Sequence, residues 1–254
     1  MALVLTDRTA NGNDLTNVNG ATEVTTNLPF TPNTSAADLE DSSSQYFSAA
    51  DSASLSFTSD FTVELWVKLE TVDAGGSNVR RRLVAKYNAG LGAPASSFSF
   101  GTLYKGASDS TYNFELFLSD SSGNEDVISK AFTTPIAGTW YHWAVTWTAA
   151  TKTAEFFIDA SSQGTAIGTN VAALGAGDAL FTIGQSATLS AGQYLDGIVD
   201  DVRVWSDIRT GTEITNNYNT ELTGSEANLV AYYPFNAVIP VGGVIPTNDY
   251  AYFI

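Results

Sequence analysis

The sequence predicts an all-β fold, a two-sheet antiparallel β-sandwich of the jelly-roll type that carries one short helix. Three observations predict it. Apolar and polar residues alternate over short segments, and clusters of glycine, serine, asparagine and aspartate separate these segments. About a dozen such segments fit into the 254 residues, a spacing typical of sandwiches and jelly rolls. One stretch has the N-terminal signature of a helix, at Thr210 and Glu213.

The predicted strands run along the whole chain with polar turns between them. The clearest is "FTVELWVKL", in which every second residue from Phe61 to Leu69 is apolar and faces one side of the sheet. The other candidates, in chain order, are "LVLTD", "QYFSA", "YNFELFLSD", "WYHWAVTWT", "AEFFIDA", "LFTIGQS", "IVDDVRVW" and "NLVAYYPF". The helix is predicted in "RTGTEITNNY", where Thr210 and Glu213 fit a capping box and Ile214 begins an apolar side.

Composition restricts the classes of partner. The chain carries 27 acidic and 11 basic residues, and its net charge is −16. We therefore expect no nucleic acid partner, because neutralising phosphates requires lysine and arginine. The absence of cysteine excludes disulfides and thiolate metal sites. No apolar run approaches the roughly 20 residues that cross a bilayer, and no secretory signal is visible, so we expect no membrane insertion.

Several segments occur in an order that resembles a known family. They are "SSQYFSAADSASLSFTSDFTVELWVK", "GTWYHWAVTWTAATKTAEFFIDA", "LFTIGQS", "YLDGIVDDVRVWSDIRTGTEI" and "NLVAYYPFN", after an opening "DRTANGNDLTNVNGA". Over about residues 3–236 the chain resembles the laminin-G-like domains of the concanavalin A-like lectin/glucanase superfamily. The resemblance implies a concanavalin A-like sandwich over residues 1–236, which in this family often binds glycans or proteins and often carries a structural Ca²⁺.

The strand "IVDDVRVW" is the candidate for a calcium site. Strict alternation of side chains puts Asp200 on one face together with Ile198, Val202 and Val204. In the laminin-G-like domains the matching aspartate contributes to a calcium site, so the resemblance implies that Asp200 binds Ca²⁺. A buried carboxylate must be paired, hydrogen-bonded or metal-bound. The alternative is that Asp200 caps backbone N–H groups or pairs with Arg203 or Arg209.

The N-terminal segment "DRTANGND" offers co-ligands for this ion. Asp7, Asn11 and Asn13 carry carboxylate and amide oxygens, which Ca²⁺ prefers, and Gly12 allows a tight turn that presents carbonyl groups. Turns rich in aspartate and asparagine usually form without a metal. A purely structural turn is therefore the alternative.

The sequence lacks the signature of the hydrolases in this superfamily. Retaining glycosidases of the family place two glutamates on one strand in a Glu-x-Asp-x-Glu pattern, and their carboxyl groups must lie about 5 Å apart. Glu64 and Glu70 are too far apart for that pattern, and "GNEDVIS" offers only Glu125 beside Asp126. The single histidine, His142, has no nucleophile or carboxylate adjacent in sequence, so we interpret it as structural. We expect no enzymatic activity.

Two groups of residues are candidates for a ligand surface. The resemblance implies glycan binding, and Trp66, Tyr104, Tyr112 and Trp140 would form a sugar platform if they were exposed on one sheet; the alternative is that they are core residues. The segment "RRRLVAK", residues 80–86, holds four of the 11 basic residues. It is either a basic contact patch or a solvated strand edge or loop.

The last 18 residues, "AVIPVGGVIPTNDYAYFI", form an apolar C-terminal arm, residues 237–254. Because prolines prevent a helix and free termini are normally polar, we expect this arm to extend along a groove of its own sandwich or of a neighbouring subunit. The sequence thus predicts a non-catalytic structural or attachment subunit of a homo-oligomer or a phage or virus particle, located on the virion surface and able to bind glycans. The alternative is a carbohydrate-binding module of a secreted bacterial surface protein.

Overall fold

A computed structural model gives the fold of residues 3–72, 79–87, 97–105, 111–185 and 194–236. The predicted C-terminal arm, residues 237–254, lies outside the described residues. The strands are β1 Thr16–Val18, β2 Thr22–Val24, β3 Ala36–Leu39, β4 Tyr46–Ala49, β5 Phe61–Leu69, β6 Val79–Lys86, β7 Phe98–Lys105, β8 Thr111–Ser119, β9 Glu125–Phe132, β10 Trp140–Thr148, β11 Thr153–Ile158, β12 Ser161–Ile167, β13 Phe181–Ile183, β14 Gly197–Trp205 and β15 Leu229–Tyr233. The α-helix is α1, Gly211–Asn217, and single 3₁₀ turns are found at Asp41–Ser43, Ala53–Leu55 and Ala149–Thr151.

These strands form two antiparallel sheets that pack face to face. The seven-stranded sheet has the order β1-β4-β13-β6-β7-β8-β9, and the eight-stranded sheet has the order β12-β11-β10-β5-β14-β3-β2, with β15 also paired to β14. This arrangement confirms the predicted antiparallel sandwich. The helix is confirmed as well: the N–H of Glu213 donates to Thr210 Oγ1, and the N–H of Thr210 donates to Glu213 Oε2 at 2.8 Å. None of the helices in the described ranges has the length and apolar character that crossing a membrane requires.

The first predicted strand, "LVLTD", was wrong. Residues 3–7 are irregular, although the carbonyl of Leu5 accepts a hydrogen bond from the N–H of Leu15 at 2.8 Å. The carboxylate of Asp7 accepts the N–H groups of Thr9 and Asn13 at 2.9 and 3.0 Å. A side chain that binds nearby N–H groups in this way competes with a strand ladder, and the chain turns instead.

The core lies between the two sheets. The alternate residues of β5 from Phe61 to Leu69 are at most 4% exposed, as the alternation predicts. They share one apolar cluster with residues of β7 and β8, namely Phe98, Phe100, Phe114, Leu116 and Leu118. Aromatic rings tie the layers together: Phe114 on β8 stacks on Phe156 of β11 with ring centroids 5.6 Å apart.

The opposite face of the eight-stranded sheet is buried at its centre as well, and we call this region the covered face. Residues 25–35 and 206–228 lie over it and both contact Trp66 of β5. The indole ring lies 6.2 Å from the ring of Phe30 and stacks on that of Tyr218 at 5.8 Å, and its Nε1 donates to the carbonyl of Tyr218 at 2.6 Å. Charged residues in the middle of this face must therefore find partners within the protein.

A β-bulge in β14 decides which of its residues reach the covered face. Asp200 pairs with Trp66 and Arg203 pairs with Glu64, so two residues of β14 stand opposite one residue of β5. The extra residue is Asp201, whose φ of 50° lies in the left-handed region. After the bulge the alternation resumes one residue out of phase.

The predicted faces of this strand were consequently wrong. Val199, Val202 and Val204 belong to the apolar core, whereas Asp200 and Arg203 pair with residues that point away from it. Asp200 thus does not share a face with Val202 and Val204. The prediction assumed strict alternation, which a bulge breaks.

Candidate functional site

A buried ionic cluster occupies the centre of the covered face. It consists of Glu64, His142, Asp201, Arg203 and Tyr232, each at most 1% exposed. The guanidinium of Arg203 pairs with Asp201 and lies 3.5 Å from Glu64 Oε1. The hydroxyl of Tyr232 donates to Asp201 Oδ1 at 2.6 Å. The cluster joins strands β5, β10, β14 and β15 across the sheet.

The segment that carries α1 completes this cluster. Arg203 donates to the carbonyls of Asn217 and Thr220 at 3.0 and 2.6 Å, and the hydroxyl of Tyr232 accepts the N–H of Leu222 at 3.0 Å. Burial alone would raise the pKa of Glu64, but Arg203 and the contact with His142 lower it to about 2. One guanidinium pairs here with two carboxylates, while Glu64 Oε2, both ring nitrogens of His142 and Nε of Arg203 have no hydrogen-bond partner among the described residues. The side chains are buried and contact one another, so we interpret the cluster as structural.

His142 has a carboxylate partner that sequence analysis missed. Its Nε2 lies 3.3 Å from Glu64 Oε2, because β10 and β5 pair with His142 opposite Trp66. The imidazole also packs edge-on against the Trp66 ring at 5.5 Å. His142 is fully buried, so this pair cannot reach a substrate, and the interpretation of His142 as structural agrees with its environment.

Asp200 is fully buried at the edge of this cluster. Its Oδ1 accepts the N–H of Asp201 at 2.7 Å, and its Oδ2 accepts the side-chain amide of Asn33. It therefore binds a backbone N–H, as one alternative predicted, while Arg203 and Arg209 pair with other carboxylates. Burial and the neighbouring charge of Asp201 raise the pKa of Asp200 well above its ordinary value.

The other three predicted calcium ligands meet elsewhere, around the carbonyl of Val230. Asn11 and Asn13 donate to this carbonyl, each at 3.0 Å. Both carboxylate oxygens of Asp7 accept hydrogen bonds from the chain itself; the donors include the N–H of Tyr232 at 3.1 Å and the hydroxyl of Thr9 at 2.9 Å. Asp7 does not fit a calcium ligand in this arrangement.

A calcium site at Asp200 stays a prediction. A carboxylate has about four acceptor positions, and the described residues supply Asp200 with two donors. Sequence analysis did not foresee a different acidic group, Asp38, Glu40 and Glu70, whose ligand atoms lie within 4.8 Å of one another. Burial raises the pKa of Asp38 and that of Glu70. Asp38 lies in β3, and Glu40 and Glu70 directly follow β3 and β5, between which β14 lies, so no local pattern reveals the group.

The three residues of the predicted sugar platform whose side chains the structure describes do not share one exposed surface. Trp66 is 6% exposed on the covered face, and Tyr112 is 1% exposed on the other sheet. Trp140 is partly exposed, with its Nε1 bonded to the carbonyl of Asn27 at 2.6 Å and the ammonium of Lys68 5.2 Å from its ring centre. Tyr104 lies in β7, and its side chain is outside the described part of the structure.

The outer face of the seven-stranded sheet, the one turned away from the core, carries a second charged group that we call the arginine site. It consists of Arg80, Arg82, Tyr87, Glu115 and Phe117. Nε of Arg80 donates to Glu115 Oε2 at 2.8 Å, and Nη1 of Arg82 reaches the same oxygen at 3.3 Å. The rings of Tyr87 and Phe117 meet edge-on at 4.3 Å, and the Arg82 guanidinium lies 5.9 Å from the Tyr87 ring.

Gly101 of β7 makes this contact between β6 and β8 possible. It pairs with Arg82 on one side and with Glu115 on the other, and it places no side chain between them. A Cβ at Gly101 would lie 2.2 Å from the carbonyl oxygen of Arg81, so only glycine fits. Residues 80–86 thus lie in strand β6, and a basic contact patch there stays a prediction.

The arginine site is open on one side. The side chain of Arg80 is 41% exposed although Glu115 is buried. On the neighbouring strand β9, Val127 pairs with Phe117 and Ser129 pairs with Glu115, and both are exposed. A molecule in solution can therefore approach this face from the β9 side.

Comparisons with known proteins identify the family. A laminin-G family model, described as the concanavalin A-like lectin/glucanases superfamily, matches residues 41–215, more than half of the chain. The chain belongs to this superfamily. The family predicted from the sequence is thereby confirmed. A search of curated proteins by sequence found no match.

Solved members with similar folds come from several kinds of protein. Domain 4 of an extracellular arabinanase from Geobacillus stearothermophilus, in complex with arabinotriose, has 14% identity and a TM-score of 0.55 over 85% of this chain and 98% of that chain. A putative carbohydrate binding protein from Bacteroides ovatus has 16% identity and a TM-score of 0.53, over 78% of this chain and 50% of that chain. Full-length tailspike protein 2 from an Escherichia coli O157:H7 bacteriophage has 12% identity and a TM-score of 0.56, over 91% of this chain and 30% of that chain. At these identities the likeness shows the fold alone.

Proposed function

We propose that this superfamily member is a non-catalytic attachment subunit of a larger assembly, with a phage or virus particle as its setting, and that it binds a glycan on the outer face of the seven-stranded sheet. The arginine site is the observation that carries the proposal. It combines guanidinium donors with a half-buried aromatic ring, Tyr87, on a face that solvent reaches at Arg80 and Ser129. Sugar sites need such hydrogen-bond donors beside an apolar surface.

The non-catalytic part rests on how the described carboxylates are used. Glycoside hydrolysis needs two carboxyl groups on either side of the scissile bond. On the outer face, Glu115 is held by two arginines, and the residues opposite it on the neighbouring strands are Gly101 and Ser129. On the covered face, Glu64 and Asp201 are buried and paired with Arg203. Neither of these two arrangements offers a second carboxyl group to a bound sugar. The acidic group of Asp38, Glu40 and Glu70 does bring carboxylates within 4.8 Å of one another, so the non-catalytic part of the proposal depends on the assay described below.

The solved relatives support the glycan and the particle as parts of the proposal. One is a domain seen with arabinotriose, and another is part of a phage tailspike. The corresponding location is the virion surface, with an extracellular or cell-surface location as the alternative. Under that alternative the chain is a carbohydrate-binding module of a secreted protein.

Glycan binding and its location can be tested together, since the chain has no cysteine. A glycan array identifies a ligand, and calorimetry measures its affinity. Val127→Cys and Thr212→Cys are then labelled with a bulky maleimide; both residues are exposed, Val127 on β9 and Thr212 on α1, which lies over the other sheet. Label at position 127 should block binding, and label at position 212 should not. A wild-type chain that binds no glycan, or equal effects at the two positions, contradicts the proposal.

The absence of catalysis has its own assay. We expect no release of reducing sugar from laminarin, agarose, alginate or the glycan found on the array. Release above a blank that a single Glu115→Gln change abolishes would show that the chain is an enzyme.

A further inference from the structure

The arginine site holds more positive than negative charge. Arg80 and Arg82 share a single carboxylate, and among the described residues only Glu115 forms an ion pair with either guanidinium. The Nε of Arg82 is buried and has no hydrogen-bond partner. This surplus is unusual in a chain whose net charge is −16.

The surplus has an energetic consequence. Arg82 is 7% exposed, so its charge has lost most of its hydration, and burial lowers its pKa against the opposing effect of Glu115. A buried charge with incomplete pairing costs free energy. An anion that binds here would compensate the unpaired positive charge, and it would be favoured over a neutral molecule of the same shape.

The geometry also selects the kind of anion. Arg80 uses Nε and Nη2 to bind the two oxygens of Glu115, which leaves Nη1 for a ligand, and its side chain is 41% exposed. The remaining Nη1 can donate a charge-assisted hydrogen bond to a ligand carboxylate. The half-buried Tyr87 ring, next to Arg82, offers an apolar surface to the ring that bears the carboxylate.

We infer that the arginine site binds a carboxylate-bearing glycan, one that contains uronic or sialic acid residues, with Arg80 contacting the ligand carboxylate and Arg82 supplying the second positive charge. This inference rests on the proposed glycan-binding function and names its ligand class. Screening by salt should weaken the interaction, because the contact is partly exposed.

The test compares one sugar in two charge states. Calorimetry uses an oligogalacturonate and its methyl ester, and a sialylated oligosaccharide with its methyl ester, so that only the carboxylate changes; a sulfated glycan of similar length is a third arm. We expect the acid forms to bind about tenfold or more tightly than the esters, since hydrogen bonds to charged groups are the stronger class. Preference for the sulfated glycan over both acids would overturn the assignment to carboxylate.

Three variants separate this role from a structural one. Arg80→Gln should weaken binding of the acid forms about tenfold and leave the ester forms unchanged. Glu115→Gln should tighten binding of the acid forms, because it adds to the positive surplus. Arg209→Gln, which removes an arginine paired with Glu213 of α1, in the segment that lies over the other sheet, should change neither.

Melting temperatures verify that each variant folds. Should Glu115→Gln unfold, the comparison of Arg80→Gln with Arg209→Gln decides whether Arg80 contacts the ligand carboxylate. Equal affinity for acid and ester forms would overturn this inference and leave glycan binding standing. Binding of no glycan in either form would overturn the proposed function itself.

Discussion

Asp200 and Asp201 are neighbours in the chain, yet both carboxylates lie on the covered side of the eight-stranded sheet. Asp200 stands opposite Trp66, and Asp201 pairs with Arg203. Regular alternation would send them to opposite faces. The left-handed backbone at Asp201 brings them together, and burial together with the charge of Asp201 raises the pKa of Asp200.

The first prediction concerns calcium at Asp200. If the ion binds there, calcium should raise the melting temperature of the wild-type chain relative to chelator, because binding to the folded state alone stabilises it. Asp200→Asn should abolish the calcium effect. The control, Asp7→Asn, should be destabilising in both buffers but keep the calcium effect, since Asp7 is bonded to the chain's own donors. Identical wild-type melting in both buffers would contradict the prediction.

The second prediction concerns the buried ionic cluster. Arg203→Met leaves the carboxylates of Glu64 and Asp201 buried without their cation, so we expect it to lower the free energy of unfolding by about 3–5 kcal/mol. Arg209→Gln breaks more exposed pairs and should cost at most about 1 kcal/mol. Urea denaturation measures both. A cost for Arg203→Met no larger than that for Arg209→Gln would show that the cluster does not stabilise the fold.

The third prediction concerns acid stability. The pKa of Glu64 is lowered from 4.5 to about 2, so its ionised form stabilises the fold above pH 4.5 and this contribution, on the order of 3 kcal/mol, is lost as the pH falls toward 2. The pKa of Asp200 is raised, so stability gained from its protonation should increase as the pH falls toward 3.8. We expect a maximum of stability at mildly acidic pH.

Two variants test which residue causes each part of that pH profile. Glu64→Gln should flatten the loss below pH 4.5, and Asp200→Asn should flatten the gain above it. Thermal unfolding between pH 2 and pH 8 measures both. A wild-type profile that falls steadily from pH 7 to pH 2, unchanged in shape by Asp200→Asn, would contradict the assignment of Asp200.

The fourth prediction concerns the arm, residues 237–254. Truncation after Asn236 should leave the sandwich folded, because Asn236 is itself a structural residue: its Oδ1 accepts the N–H groups of Thr34 and Ser35 at 2.8 and 2.7 Å. We expect the truncated chain to be monomeric and the full chain to assemble, as measured by light scattering after size exclusion. A full-length monomer, or normal assembly after truncation, would contradict this role of the arm.

The sequence was sufficient for features that depend on local pattern. The alternation in "FTVELWVKL" predicted a core face, and Thr210 with Glu213 predicted the start of a helix; both are confirmed because neighbouring residues alone determine them. The pairing of Glu64 with His142 was missed because it depends on the register between two strands about 75 residues apart. Arg80 and Glu115 likewise meet only through the pairing of β6, β7 and β8.

The bulge at Asp201 escaped sequence prediction for a different reason. A single residue with positive φ reversed the phase of the strand. Aspartate adopts this conformation more often than most residues, but an aspartate in a strand-like segment does not by itself signal a bulge. Asp201 is held in this conformation by its tertiary partners, Arg203 and Tyr232. Such a position is predictable only when the neighbouring strands are known.

The burial of the covered face has a consequence for how this molecule can change over time. The ionic cluster that links the strands lies on one sheet, and the exposed polar groups of β9 and Arg80 lie on the other. If the arginine site binds a glycan as we propose, substitutions at Arg80, Val127 or Ser129 change what the surface recognises and leave the Arg203 network intact. A lineage under pressure to change its ligand could then vary the seven-stranded sheet and would conserve the eight-stranded one.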